Sequence, residues 1–223
     1  GTGLNQYILL LANTGTGKES VAEGIDKIIN AVSMQIPVAD EFIGPSRIAS
    51  GQALYKYLSK KSQSFVSIVG EFGKRLEIMS SKNATSSEKN LLIEMLDLYH
   101  KSGYGRVAKP SIYSDQDKNT IAINSPAFSL LGESTPETFY NSLTEEMITD
   151  GLLPRFMLIE YNGKRPKLNE NHSKIFPNEE LITKMVILIN HVKTISRAHN
   201  RLVVNVNFTD DAYRFQNRFN EET

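Results

Sequence analysis

Two glycines and a lysine follow a short apolar segment near the start of the chain, in the sequence Asn13-Thr-Gly-Thr-Gly-Lys18. Gly15 and Gly17 allow backbone conformations that other residues rarely adopt, so successive N–H groups can point toward one anion. A helix that we expect to begin at Lys18 adds the partial positive charge of its N-terminus, and Lys18 itself supplies a mobile cation. The spacing therefore predicts a site for the phosphate groups of a nucleotide.

The segments on either side of this loop have the order that a phosphate-binding loop requires. Residues 7–11 form an apolar run typical of a buried parallel strand, and the apolar residues after the loop recur at helical spacing. The loop departs from the pattern G-x-x-x-x-G-K-[ST] because Ala12 replaces the first glycine and Glu19 replaces the Ser or Thr that would hold Mg²⁺. Ser20 comes one position later, and we expect it to contact the metal. The residues predicted to bind ATP and Mg²⁺ are Asn13, Thr14, Gly15, Thr16, Gly17, Lys18, Glu19 and Ser20.

A second strand-like segment ends in an acidic residue. Residues 65–69 are apolar, and Gly70 and Glu71 follow directly. ATP hydrolysis needs a metal ligand and a group that orients or activates water. The usual ending of such a strand is Asp-Glu, and here Gly70 replaces the aspartate. Glu71 is therefore the candidate for the water-activating residue and for a contact to Mg²⁺; the alternative is a surface glutamate that follows a strand.

Polar residues also follow the predicted strand at residues 128–131. Ser134 and Thr135 come at its end, where P-loop ATPases commonly carry a sensor of the γ-phosphate. Thr135 precedes Pro136, and a hydroxyl followed by proline is a strong helix start. Thr135 is therefore a sensor, a helix cap or both, and Ser134 is the other candidate for the sensor.

Arg155 stands directly before the apolar residues 156–159. An arginine suits the stabilisation of phosphoryl transfer because its planar guanidinium stays charged and binds phosphate with two hydrogen bonds. A residue at the start of a parallel strand often lies away from its own nucleotide, so this arginine would act on a neighbouring subunit. The alternatives are a surface arginine or one paired with Glu71 or Glu133.

The composition excludes several other kinds of site. The chain of 223 residues has a formal net charge of zero at pH 7, which gives no general attraction to nucleic acid or to membranes. It has no cysteine, which excludes disulfides and thiolate ligands, and its four histidines lack zinc-ligand spacing. No apolar run reaches membrane-spanning length and no signal peptide is visible. We therefore expect a cytoplasmic protein without a membrane partner.

Strands and helices alternate along residues 1–161, which predicts an α/β P-loop NTPase core with a mainly parallel sheet flanked by helices. One predicted helix runs from Pro136 to Asp150. Residues 162–177 are polar and contain proline, so we expect an exposed linker. Residues 178–223 are predicted to form a small C-terminal appendage of helices and one alternating strand around residues 202–208. Both ends of the chain look cut, as in one domain of a longer polypeptide.

Four short motifs together resemble the P-loop ATPase domains of prophage- and plasmid-borne primase-helicase proteins. They lie at residues 13–18, 69–73, 131–140 and 150–157, and residues 207–213 are similar to the helical tail of such proteins. The loop sequence, with its glutamate after the lysine, is similar to that of bacterial enhancer-binding AAA+ activators. The segment Gly-Leu-Leu-Pro-Arg-Phe that contains Arg155 looks like the arginine-finger segment of minichromosome-maintenance helicases. The resemblance covers most of the chain.

The resemblance implies an ATPase that acts in the replication of mobile-element DNA, as a homo-oligomer and together with other replication domains or proteins. Single-stranded DNA is a candidate partner, because Lys74, Arg75 and the loop at residues 104–109 offer basic and aromatic side chains. Solvated surface loops explain these side chains equally well. Gly70 and Glu19 favour a second hypothesis, a nucleotide-binding module that no longer hydrolyses and serves assembly or regulation.

Overall fold

The computed structural model describes residues 3–112, 114–116, 119–167, 169–198 and 207–222. Its central strands are β1 (Tyr7–Ala12), β2 (Ser64–Val69), β5 (Ala127–Ser134) and β6 (Phe156–Tyr161). All of them run parallel, in the order β2-β5-β1-β6. Two further strands, β3 (Val107–Ala108) and β4 (Ile123–Asn124), form a separate antiparallel pair.

Helices flank the parallel sheet, which confirms the predicted α/β class. They are α1 (Ser20–Ser33), α2 (Gly51–Lys60), α3 (Phe72–Ser80), α4 (Ser86–Leu98), α5 (Pro136–Ser142), α6 (Glu145–Thr149), α7 (Glu179–Ala198) and α8 (Asp210–Glu222). Short 3₁₀ helices occupy Pro37–Phe42, Leu153–Arg155 and His172–Lys174. Across the ranges that the structure describes, no helix has the length and apolar character needed to cross a membrane.

One face of the sheet carries the main hydrophobic core. Tyr7, Leu9 and Leu11 of β1 alternate into this core, and buried side chains of α2, α3, α4 and α5 cover them. The Tyr7 hydroxyl donates a hydrogen bond to the carbonyl oxygen of Met95, 2.7 Å away, and so joins the central strand to α4. Because β1 lies between β5 and β6, the loop that follows it is held by a strand that cannot shift without disrupting the core.

A smaller apolar cluster lies between α1 and the C-terminal helix α7. Val32, Ile36 and Ala39 are buried there together with Ile189 of α7. The first helix of the predicted C-terminal appendage therefore packs on the helix that follows the loop. Residues 201–206, which hold most of the predicted C-terminal strand, lie outside the described residues, and the proposed division into domains stays a prediction.

Two predicted helical boundaries are wrong. The helix expected from Pro136 to Asp150 is interrupted at Leu143, which is extended, because the Thr144 hydroxyl accepts a hydrogen bond from the N–H of Met147 and begins α6. The helix after the loop begins at Ser20 instead of Lys18. Within 162–177, the residues that the structure describes (all but 168) are irregular, apart from the 3₁₀ turn at His172–Lys174.

Candidate nucleotide-binding site

The carboxyl ends of β1, β2 and β5 meet at one edge of the sheet. Leu11 lies opposite Ser134, and Val69 lies opposite Gly132. This register gathers the loop after β1, the end of β5 and Glu71, which follows β2. Ligands of open parallel sheets bind at this edge. We call it the carboxyl edge and the opposite one the amino edge.

The loop between β1 and α1 has the backbone that its glycines predict. Gly15 has a φ of 78° and Gly17 a φ of 83°, in the left-handed region where a side chain is strained. Thr16 closes the turn, because its N–H donates to the carbonyl oxygen of Asn13 at 3.3 Å and its hydroxyl at 2.7 Å. Among the described residues, no backbone hydrogen bond uses the N–H groups of Gly15, Gly17 and Lys18. These donors are therefore available to an anion.

Lys18 is buried although it carries a charge, with 6 % of its surface exposed. Its ammonium lies 3.7 Å from the Oε1 atom of Glu19. Ser20 begins α1, and its N–H and hydroxyl both donate to the carbonyl oxygen of Gly17, at 3.0 and 2.6 Å. A buried lysine is rare unless it is paired, so its position at the start of a helix and beside free N–H groups favours an anion as its ligand.

Glu71 has a strained backbone. Its φ of 52° and ψ of 37° place it in the left-handed region, directly before α3, and its side chain is exposed. This conformation costs an L-residue about 1–2 kcal/mol, and glycine would adopt it freely. Strain of this kind clusters at functional sites, so a glutamate at this strand end is better explained by its carboxylate than by the turn.

Sequence analysis did not include Glu133 in the site. Only 4 % of Glu133 is exposed, and its Oε1 atom is buried without a hydrogen-bond partner in the described part of the chain. Burial raises its pKa, and the nearby charges of Glu19 and Glu71 raise it further, whereas that of Lys18 lowers it. The available signal was a single charged residue near the carboxyl end of a strand-like segment.

Ser134 and Thr135 have different surroundings. Ser134 is fully buried, and its hydroxyl donates to the carbonyl oxygen of Thr135 at 3.1 Å. A Cβ atom added to Gly73 would lie 2.1 Å from the Ser134 Oγ atom, so α3 packs directly against it. Thr135 accepts a hydrogen bond from the N–H of Thr138 at 3.3 Å and caps α5. The capping alternative is therefore present, and the sensor role of either residue stays a prediction.

Arg155 lies at the amino edge. It immediately precedes β6, whose first residue pairs with the first residue of β1. Its guanidinium donates to the carbonyl oxygen of Gly151, lies 3.2 Å from Nε2 of His100, and sits 5.7 Å from the centre of the Tyr99 ring. The six residues of β1 span about 20 Å, which separates Arg155 from the loop of its own chain.

An open groove of about 450 Å³ lies beside Arg155 and is rich in cations. It is lined by Ile93, Leu96, Asp97, His100, Lys101, Arg106 and Arg155. Arg106 belongs to the loop that sequence analysis proposed for DNA, whereas the other proposed basic residues lie on α3. There Lys74 is paired with Glu77 at 2.7 Å, and burial together with the charge of Arg47 lowers the pKa of Arg75.

Arg165 was also missed, because residues 162–177 were interpreted as a linker. Its Nη1 atom lies 3.8 Å from the position that a Cβ atom on Gly15 would take. The chain leaves β6 at the carboxyl edge, so this segment passes beside the loop. The signal in the sequence was the basic run that contains Lys164, Arg165 and Lys167 directly after the last strand.

Oxygen donors for a metal are present at the carboxyl edge, but they do not form a complete metal site. Within the described ranges, no three His, Asp or Glu side chains are grouped so as to hold a metal ion by themselves. Mg²⁺ at nucleotide sites commonly takes one or two protein carboxylates together with phosphate oxygens and water. The Oε1 atom of Glu133, buried and without a hydrogen-bond partner among the described residues, fits that requirement.

No protein-family model matches the chain, and no curated protein is significantly similar to it.

Proposed function

We propose that this chain is an ATP-binding and ATP-hydrolysing domain that requires Mg²⁺. The observation that carries the proposal is the loop after the central strand, where two left-handed glycines and N–H groups without a backbone partner in the described residues stand next to the buried Lys18. Phosphate is the anion that such loops bind, because oriented N–H dipoles and a lysine act on the same oxygens. The central position of β1 keeps this cradle fixed before the nucleotide arrives.

The side chains around the loop divide the chemistry of hydrolysis. In this proposal the ammonium of Lys18 balances negative charge on the terminal phosphates, and Glu71, exposed after the end of β2, would accept a proton from the attacking water. Bound Mg²⁺ supplies further neutralisation of the phosphate oxygens. Phosphoryl transfer depends mainly on such positioning and charge, so the proposed site does not need a covalent intermediate.

Arg155 completes the site only in a homo-oligomer. It is about 20 Å from its own loop, and it faces an open groove with Lys101 and Arg106. A second subunit that presents its nucleotide to this groove would bring Arg155 to the γ-phosphate. In this arrangement hydrolysis depends on assembly, as the resemblance to replication helicases implies.

The cellular role that we propose is ATP-driven work in the replication of mobile-element DNA, with other replication domains or proteins. It rests on the motifs that resemble prophage and plasmid primase-helicases. Single-stranded DNA is the proposed nucleic-acid partner, with the exposed Tyr104 and Arg106 as contacts.

The alternative is a nucleotide-binding module that does not hydrolyse ATP and serves assembly or regulation. Gly70 favours it because an aspartate is missing at the end of β2. Glu19 favours it because this residue places a carboxylate 3.7 Å from the Lys18 ammonium, where it competes with phosphate.

Titration of the protein with ATP and Mg²⁺ tests the site, and phosphate release with and without single-stranded DNA separates the two functions. Lys18→Ala should weaken ATP binding by about 10- to 100-fold, because a charged hydrogen bond contributes about 1.5–3 kcal/mol. Arg155→Ala is the matched control, since it removes a cation at the amino edge and should leave affinity unchanged in the monomer. Equal affinity of Lys18→Ala and the unmodified protein would exclude the loop, and ATP binding without phosphate release would favour the non-hydrolysing module.

A further inference from the structure

Position 70, directly after β2, carries a glycine and no carboxylate, and the neighbouring strand carries a glutamate in the same row. Val69 lies opposite Gly132, so the next residues along the two parallel strands, Gly70 and Glu133, are neighbours across the sheet. On its other side, Glu133 lies opposite Leu10 of β1. Glu133 is therefore on the strand between Gly70 and the strand that leads into the loop.

The Glu133 side chain is on the face of the sheet away from the main core. Leu9 and Leu11 lie on the core face together with their partner Ser134, and the alternation of β5 places Glu133 on the other face. Lys18, Glu19 and Glu71 are the charged groups close enough to act on it. Glu133 thus belongs to the carboxyl edge and not to the packing of α3 and α5.

The charges around Glu133 compensate it only in part. The carboxylates of Glu19 and Glu71 repel that of Glu133, and the ammonium of Lys18 offsets part of this repulsion. The Oε1 atom of Glu133 is buried and accepts no hydrogen bond within the described ranges. A buried carboxylate without a partner is unfavourable, and a cation that enters the site would remove that cost.

We propose that Glu133 is a carboxylate ligand of the Mg²⁺ that accompanies ATP, in place of the aspartate that Gly70 lacks. This inference rests on the proposed ATP site. It accounts for a buried acid with no partner and for the loss of the acid on the adjacent strand, and it makes Gly70 compatible with hydrolysis.

An exchange of the carboxylate between the two strands tests the proposal. Gly70 does not have a left-handed φ, and a Cβ atom added to it meets nothing within 4 Å, so an aspartate fits there. The variants are Glu133→Gln, the double variant Glu133→Gln with Gly70→Asp, and the matched double variant Glu133→Gln with Gly70→Asn. For each, ATP affinity is measured in excess EDTA, and the metal affinity of the ATP complex is measured with Mn²⁺ by the electron-spin signal of the free ion.

We expect Glu133→Gln to bind ATP in EDTA as the unmodified protein does. Loss of a residue that only hydrogen-bonds a metal ligand lowers metal affinity by ~10- to 100-fold. Loss of a ligand should cost at least as much, so the metal affinity of the Glu133→Gln ATP complex should fall by that factor or more. Gly70→Asp should restore much of that affinity in the Glu133→Gln background, and Gly70→Asn should not.

Three results would overturn the proposal. Unchanged Mn²⁺ affinity in Glu133→Gln excludes a ligand role, and if phosphate release is nevertheless lost, Glu133 acts on water. Loss of ATP binding in EDTA would show that Glu133 only supports Lys18. Failure of the unmodified protein to bind ATP in EDTA and in Mg²⁺ removes the proposed function itself, which distinguishes that failure from the other two.

Discussion

Two arginines lie near the two ends of β6, and their surroundings differ. Arg155 precedes the strand at the amino edge, where it contacts Gly151, His100 and Tyr99. Arg165 follows the strand and lies over Gly15 at the carboxyl edge. The same residue type is therefore placed once beside the phosphate loop of its own chain and once about 20 Å away from it.

The two edges of the sheet carry different parts of the proposed site. The carboxyl edge holds the loop, Lys18 and the acidic residues that we propose act within one chain. The amino edge has an open groove lined by Arg155, Arg106 and Lys101, the last paired with Asp97 at 3.3 Å, and we propose that a neighbouring subunit uses it. Substitutions at the two edges should therefore affect binding and turnover separately.

The largest expected effect is that of Arg155→Ala on turnover. An arginine contributed by a neighbour accelerates phosphoryl transfer by about three to five orders of magnitude, so phosphate release per subunit should fall by that factor. ATP affinity should stay within twofold or so, because the loop is unchanged. Phosphate release at several protein concentrations checks this, since the activity per subunit of the unmodified protein should rise with concentration.

A mixture of two inactive variants tests whether Arg155 acts across a subunit interface. Subunits with Arg155→Ala keep an intact loop, and subunits with Lys18→Ala keep an intact arginine. A mixture should recover part of the activity if the arginine acts across an interface. Absence of recovery, together with activity that is independent of concentration, would assign Arg155 to the structure of its own chain.

The second largest effect is expected for Glu71→Gln at the carboxyl edge. General bases contribute about 10²- to 10⁴-fold, so turnover should fall by that factor while ATP binding is retained. Glu71→Gly is informative as a control because it removes the carboxylate and also the left-handed strain. It should be inactive yet no less stable than the unmodified protein in urea denaturation. Wild-type turnover in Glu71→Gln would leave Glu71 as a surface residue.

Local patterns were sufficient to predict the elements that carry the loop. The apolar run near the start of the chain forms the predicted strand, β1. The two glycines of the loop have the predicted left-handed backbone. The sequence Thr85-Ser-Ser-Glu88 has the pattern of a capping box, and the structure forms both of its hydrogen bonds at the start of α4. These features depend on residues that are close in sequence, so a single chain is sufficient to recognise them.

The missed features depend on contacts between distant residues. The role that we propose for Glu133 depends on its register with β2 and β1, and no local pattern fixes the order of strands in a sheet. Arg165 is beside Gly15 because β6 ends at the same edge as β1. The helix α3 was also missed: Phe72, Leu76 and Met79 have helical spacing, but the turn before them is short and contains Gly70.

A smaller effect is expected for Arg165→Ala. Arg165 is exposed, so its charged hydrogen bond to phosphate should contribute a free energy near the lower end of the usual range. Its loss should weaken ATP binding by about tenfold or less. Titration with ATP at low and high salt checks the prediction, because screening should reduce the difference. Lys167→Ala, two residues further along the same segment, is the matched control. Equal losses for both variants would indicate a general effect of charge.

The smallest effect is expected from alanine substitutions at two nearby glycines, Gly17 in the loop and Gly24 in α1. A Cβ atom added to either meets nothing within 4 Å, so Gly17→Ala and Gly24→Ala differ only in the backbone that receives the methyl group. Gly17 has a φ of 83°, and alanine there should destabilise the protein by about 1–2 kcal/mol or force the loop to change. Gly24 is helical, and alanine there should stabilise it by about 0.5–1 kcal/mol. Urea denaturation together with ATP titration measures both: Gly24→Ala should bind ATP normally, and Gly17→Ala should bind it weakly. If both variants bind equally well, the left-handed backbone at Gly17 does not shape the carboxyl edge, and the cradle depends on Lys18 and on the rest of the loop.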